Sequence, residues 1–247
     1  LIVGTYELND GKVYTQKPHT EDELYYIIKG ESHMFVDENH FSVKGENMLE
    51  LLHIFDEDMN LIGKQPRDKV HKKGYWHETF HCWITVREEE DTFLLFQKRA
   101  SCKADYPNFL DITSAGHLLA SETIKDGVRE VEEELGLKVK FEELISIGII
   151  KEEIRTEAII DREFCHVYLY EADIIPKFKL QQEEVASIFK IKLDEVIELF
   201  EGHLSEIKAI EINNKNECKE RVVYKKHILN DSGGYYQQIF DFIKKRN

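Results

Sequence analysis

Four of the eight residues in REVEEELG, at positions 129–136, are glutamate. Glu130, Glu133 and Glu134 stand at i, i+3 and i+4, so on a helix they share one face. The apolar residues Ile124, Val128, Val131 and Leu135 recur at spacings of four, three and four, which predicts an amphipathic helix over 124–135. Gly136, immediately after it, reads as the C-cap. Like charges this close repel by ~0.2–0.5 kcal/mol per pair on an exposed helix. The plain reading is a solvated acidic face. The chemical reading is a cation site: three carboxylates on one rigid face suit Mg2+ or Mn2+, the more so where a diphosphate supplies the remaining oxygens. Arg129 directly before the cluster, and a preceding turn that carries Gly116 and Glu122, favour the second reading.

Residues 116–137, GHLLASETIKDGVREVEEELGL, resemble the Nudix box, G-x5-E-x7-R-E-U-x-E-E-x-G-U with U a bulky aliphatic residue. Gly116 and Glu122 match, and so do Arg129, Glu130, Val131, Glu133, Glu134, Gly136 and Leu137. The spacer between Glu122 and Arg129 has six residues where the family has seven. The shortfall falls between loop and helix, so it bears on whether Glu122 reaches its orienting place and leaves the helix carboxylates untouched. The resemblance implies that Glu130, Glu133 and Glu134 bind the metal, with a carbonyl at the Ala115–Gly116 turn as a further ligand. It also implies that Arg129 holds the glutamates by salt bridge and that Glu130 is a candidate base. Implied with these roles is Mg2+-dependent (or Mn2+-dependent) cleavage of the P–O–P bond of a nucleoside diphosphate derivative or other organic diphosphate.

Across residues 48–200 the chain is similar to the branch that includes type I isopentenyl-diphosphate isomerases. The likeness rests on HKKGYWHETFHCWI, LLFQKRA, YPNFLDITSAGH and REFCHVYLYEAD. It implies a second ligand set of His71, His77 and His117, with Asp161 and Glu163 as carboxylates, and gives Glu163 a catalytic or metal-binding place. A structural role for the three histidines is the alternative. The isomerase needs a Cys in its triplet as acid and base, but Ala115 stands in Ser114-Ala115-Gly116-His117 and cannot move a proton. An intact glutamate helix and a missing thiol together favour hydrolysis over isomerisation. A non-catalytic sensor of a diphosphate ligand stays open beside both. Tyr75, Trp76, Phe109 and Tyr168 are aromatics that could stack on a substrate ring, and equally could be core.

These groups must be positioned by a framework of strands. LELLHIFDEDMNLIG reads as a strand, an acidic turn and a strand. FHCWITV and TFLLFQKRA pair around the REEED turn, and LISIGII, EFCHVYLYEADI and ASIFKIK add further strands. Helical patterns occupy 193–200 and 235–245. Together they imply an α+β chain: a Nudix α/β/α sandwich with a mixed sheet over 48–247. Residues 1–47 alternate in the manner of short antiparallel strands. GKVYTQKPHTEDELYYIIKG resembles a first cupin motif through Gly11, His19, Glu23 and Gly30, with Lys17 where the motif has its first histidine. With one ligand replaced and no second motif, this partial cupin-like segment is expected to serve assembly or ligand sensing, packed on the rest of the chain or in a homodimer.

A net charge of −15 argues against binding to nucleic acid or an anionic membrane, both of which need clustered Lys and Arg. No apolar run reaches the length of a membrane span. Cys82, Cys102, Cys165 and Cys218 form no CxxC pair, which fits reduced thiols and a cytoplasmic location.

Overall fold

The computed structural model describes residues 31–36, 39–44, 50–103, 105–155, 160–229 and 234–246. The chain divides into two compact units, Leu1–Leu49 and Glu50–Asn247. In the first, β1 (Glu31–Val36) and β2 (Asn39–Lys44) form an antiparallel pair in which Glu31 faces Lys44. Gly11, Lys17, His19, Glu23 and Gly30 of the cupin-like motif lie outside the described residues.

The second unit begins with the hairpin β3 (Leu51–Phe55) and β4 (Leu61–Pro66). Asp56 organises its turn by accepting the N–H groups of Asp58 and Asn60. A seven-residue helix, α1 (Arg67–Lys73), follows, and Gly74 closes it in the left-handed conformation at φ 65°. This helix was not among the sequence expectations; it buries one residue, Val70, too little for a periodic signal.

Next come β5 (Trp76–Glu88), β6 (Asp91–Arg99), β7 (Leu110–Asp111), β8 (Ser114–His117), α2 (Arg129–Leu135), β9 (Ile145–Arg155) and β10 (Ile160–Ala172). The chain continues through β11 (Val185–Lys192), α3 (Leu193–Glu201), β12 (Ile207–Ile212), β13 (Cys218–Val223) and α4 (Tyr235–Lys244). β13-β12-β11-β6-β5-β10-β9 are joined side by side in one mixed sheet, in which β5 and β10 run parallel and the other paired strands antiparallel. β5 organises the site. One edge pairs with β10 along Trp76–Val86, while the other is shared, with Thr79–Cys82 against β8 and Ile84–Glu88 against β6. The sheet therefore splits beside β8.

Alternation along β5 assigns its residues to two cores. Phe80, Cys82, Ile84 and Val86 join Val131 and Leu135 of α2 on one face. Trp83 joins Val167 and Leu169 of β10 and Ile239 and Phe240 of α4 on the other. This is the α/β/α sandwich, a mixed sheet with helices on both faces. The acidic helix is held by this burial: Val131 and Leu135 are fully buried, worth roughly 1.5–3 kcal/mol each. That outweighs repulsion among its glutamates. The predicted helix over 124–135 is corrected in one respect: Ile124–Val128 is a 3-10 helix and α2 starts at Arg129. Among the described residues no helix is long and apolar enough to cross a membrane.

Candidate active site

The glutamate face of α2 and the short strand β8 meet at the split in the sheet. Ala115 N–H donates to Glu134 Oε2 at 3.2 Å. Gly116 lies so close to Glu130 that a Cβ there would sit 2.1 Å from its carboxyl carbon, so the glycine is the space the carboxylate occupies. Arg129 ties the cluster together. Its Nε and one terminal nitrogen grip both oxygens of Glu122, at 2.5 and 3.1 Å. The other terminal nitrogen donates to Glu130 at 2.7 Å and to Glu133 at 3.0 Å. Glu122 also accepts the Leu119 N–H at 2.8 Å.

The short spacer is absorbed by the 3-10 turn. At about 2.0 Å rise per residue against about 1.5 Å in an α-helix, a 3-10 segment covers the same length with fewer residues. Glu122 thus reaches Arg129 despite the missing residue.

Burial pushes Glu130 up to about 7, with Glu133 adding to the shift and Arg129 opposing it. Burial likewise pushes Glu134 up to about 8, with Glu130's charge adding to it. A carboxyl raised in the folded chain holds its proton where the unfolded chain has lost it. Stability therefore falls as pH rises from about 4.5 through about 8. A divalent cation among these carboxylates opposes that loss. Differential scanning fluorimetry is expected to show the metal-free Tm falling across this window, and a larger Mg2+-induced rise at its alkaline end. A Mg2+ effect confined to the acidic end contradicts this.

A second cluster lies beside the first, across His117. The ring nitrogens of His71, His77 and His117 fall within 4.8 Å of one another, as do ligand atoms of His77, Asp161 and Glu163. Their elements explain the meeting. His71 is on α1, His77 begins β5, and His117 ends β8 opposite Thr79. The parallel register sets Glu163 of β10 against His77. His77 Nδ1–H donates to the Tyr75 carbonyl at 3.1 Å, so Nε2 carries the free lone pair. That Nε2 is buried without a hydrogen-bond partner, as is Asp161 Oδ1, and the two face each other at 3.5 Å. His71 and His117 bring their Nε2 atoms to 3.0 Å.

Burial, with neighbouring positive charge, lowers His71 to about 4 and holds His77 and His117 below the usual histidine range. All three are neutral at pH 7, as metal ligands must be. Burial and the charge of Glu163 push Asp161 up to about 8. Burial opposes ionisation of Glu163 too, but the hydrogen bond from His81 works against it, and the carboxyl is held well below its usual range. Orphaned donor atoms, neutral histidines and two carboxylates are a donor set that fits a divalent transition-metal ion. Both clusters line one cavity of about 510 Å3, whose wall also carries Arg67, Arg99 and Lys103.

The metal and catalytic candidates of the second unit fall into two groups. Gly116, Glu122, Arg129, Glu130, Glu133 and Glu134 form one group; His71, His77, His117, Asp161 and Glu163 form the other. Of the aromatics, Tyr168 stacks on Phe80 and Trp76 packs against Phe164. Sequence reading missed Thr79, Arg67 and Lys103. Thr79 was detectable as the partner of His77 and His81 in strand alternation.

The family model described as NUDIX domain matches residues 75–211, more than half of the chain. The chain belongs to the Nudix hydrolase family. An uncharacterized Nudix hydrolase of Clostridium acetobutylicum is 54% identical over 140 residues, 56% of this chain and 68% of that one. Nudix hydrolase 3 of Arabidopsis thaliana is 38% identical over 130 residues, and the match spans 50% of this chain but 17% of the plant protein. The isopentenyl-diphosphate Delta-isomerase of Serratia proteamaculans is 28% identical over 123 residues, 49% of this chain and 66% of its own. Nudix hydrolases act on small-molecule diphosphates, generally with a divalent cation.

Proposed function

We propose that this Nudix protein hydrolyses the diphosphate bond of a small organic diphosphate with Mg2+ or Mn2+. The observation that carries the reading is the intact group of Glu130, Glu133 and Glu134, aimed with Arg129 into the cavity at the split in the sheet. Glu130, Glu133 and Glu134 would hold the ion, helped by backbone of Ala115 and Gly116, which lie in strand β8 and not in the turn expected from the sequence. When bound, the ion would neutralise the diphosphate and acidify the attacking water. Glu130 is the candidate base among these glutamates. Arg129 keeps the carboxylates from springing apart by bonding to three of them. Arg67, Arg99 and Lys103 also line the cavity, paired with Glu50, Asp111 and Glu184, and would be the cationic donors for the second phosphate. A further cavity of about 400 Å3 shares Tyr106, Ile154 and Leu229 with the first and carries Phe109, Phe200 and Lys226, so it suits the organic group.

His71, His77, His117, Asp161 and Glu163 would hold a second ion. This is the ligand set of the isomerase branch, and it supports an isomerase-like reading. Ala115, which carries no proton, weighs against that reading. The partial cupin-like segment, 1–47, serves assembly or sensing, and a homodimer mass for the full chain by light scattering would support it.

The deciding experiment is a phosphate-release screen with Mg2+ over nucleoside diphosphate sugars, dinucleotide cofactors, oxidised nucleoside triphosphates and prenyl diphosphates. Release that disappears in Glu133→Gln is expected. Full activity in that variant sinks the proposal, ligand binding without turnover favours a sensor, and isomerised prenyl diphosphate favours the isomerase.

A further inference from the structure

A chain of buried hydrogen bonds runs from the C-terminal helix to Glu163. Trp83 Nε1 lies 3.1 Å from the Tyr235 hydroxyl. An indole N–H only donates, so the hydroxyl oxygen is the acceptor. The Tyr235 hydroxyl lies 2.9 Å from His81 Nδ1, and we assign its O–H as the donor there. A neutral imidazole that accepts at Nδ1 carries its proton on Nε2. That Nε2 lies 3.1 Å from Thr79 Oγ1 and 3.5 Å from Glu163 Oε2. Thr79 Oγ1–H and the Cys165 thiol donate to the same Oε2, at 3.4 and 3.5 Å.

Trp83, Tyr235, His81 and Thr79 are each at most 3% exposed. Each donor direction follows from the one before it. Three donors converge on Oε2, and Oε1 is left to face His77 Nε2 at 3.9 Å. His81 could itself be mistaken for a metal ligand, being close to Glu163 and Cys165. Both its ring nitrogens are already engaged, one by Tyr235 and the other by Thr79 and Glu163.

We propose that Tyr235 and His81 are positioning residues: they fix which oxygen of Glu163 faces the histidine centre, and they make that orientation depend on the docking of α4. The inference rests on the reading of His71, His77, His117, Asp161 and Glu163 as a metal position. It goes beyond that reading by giving the C-terminal helix, whose Tyr235 is 154 residues from His81, a part in the site. Tyr236 and Phe240 pack against Phe200, anchoring the helix independently of the hydroxyl.

The test uses Co2+ alone, titrated into the full-length protein and followed by its d–d absorption. Wild type is expected to give a band that His77→Ala abolishes. Tyr235→Phe keeps the ring and removes one oxygen. It leaves Trp83 Nε1–H and His81 Nδ1 without a partner, so its Tm falls below wild type while the chain stays folded. The band should shift and Co2+ binding weaken by about 10–100-fold, the usual effect of losing an outer partner of a metal ligand. Unchanged band and affinity in Tyr235→Phe, with the band present in wild type, overturns the inference alone. No histidine-dependent band in wild type overturns the metal reading and the inference with it. A second measurement needs no folded Tyr235 variant: 15N NMR of histidine-labelled wild type, with the His81 signal assigned by its absence in His81→Gln. The Nε2–H tautomer is expected, and an Nδ1–H tautomer overturns the relay.

Discussion

Glu130→Gln is expected to slow diphosphate hydrolysis by about 10²–10⁴-fold, the range for losing a positioned acid–base group, with little effect on the fold. The two side chains have the same shape. The Gln carbonyl can still accept from Arg129, which donates to Glu130 at 2.7 Å. The space that Gly116 leaves for the carboxylate accommodates the amide equally well. What disappears is the negative charge and, with it, both a ligand for the cation and a proton acceptor. Steady-state phosphate release with saturating Mg2+, alongside a thermal melt, measures both sides. A loss of less than about tenfold at unchanged Tm would remove Glu130 from the chemistry and leave Glu133 and Glu134 as the essential pair.

His77→Ala is expected to lower transition-metal affinity by more than about 100-fold, beyond the usual effect of outer partners. His77 is fully buried, its Nδ1–H is tied to Tyr75, and its Nε2 has no partner but the space it shares with Asp161 and Glu163. Removing it takes away a histidine adjacent to both carboxylates. Elemental analysis of the purified variant, with Co2+ titration, reads the effect directly. Equal metal content in variant and wild type would mean that the three histidines are a packed structural cluster. The stacked rings of His77 and His117, 5.1 Å apart, would then be its rationale. The two substitutions report on different halves of one cavity, so Mg2+-dependent stabilisation should survive in His77→Ala.

The carboxylate helix was legible because its logic is local. Glu130, Glu133, Glu134, Val131 and Leu135 sit within two turns, and a period of 3.6 residues places charge and apolar groups on opposite faces whatever the rest of the chain does. Arg129 and Gly136 belong to the same short stretch. The strands around the REEED turn and along residues 160–172 were legible for a similar reason, since alternation and turn residues are nearest-neighbour signals.

Two features were not local. The consequence of the short spacer turned on whether residues 124–128 wind as α or 3-10, and Gly127 packed against Phe80 belongs to that choice. A Cβ at Gly127 would lie 2.6 Å from the Phe80 ring. The histidine centre draws on α1, β5, β8 and β10, and the register of β10 on β5 decides that Glu163 lies beside His77. A shift of one residue would turn Glu163 to the other face of the sheet.

The sequence by itself determined the chemistry: an acidic helix with its arginine and glycine, and the family to which that pattern belongs. Only the tertiary structure decided that a second, histidine-rich centre shares the cavity and that a tyrosine from the last helix reaches toward it. Helical spacing is set by covalent neighbours, whereas strand register and helix docking are set by the burial of side chains far apart in the chain.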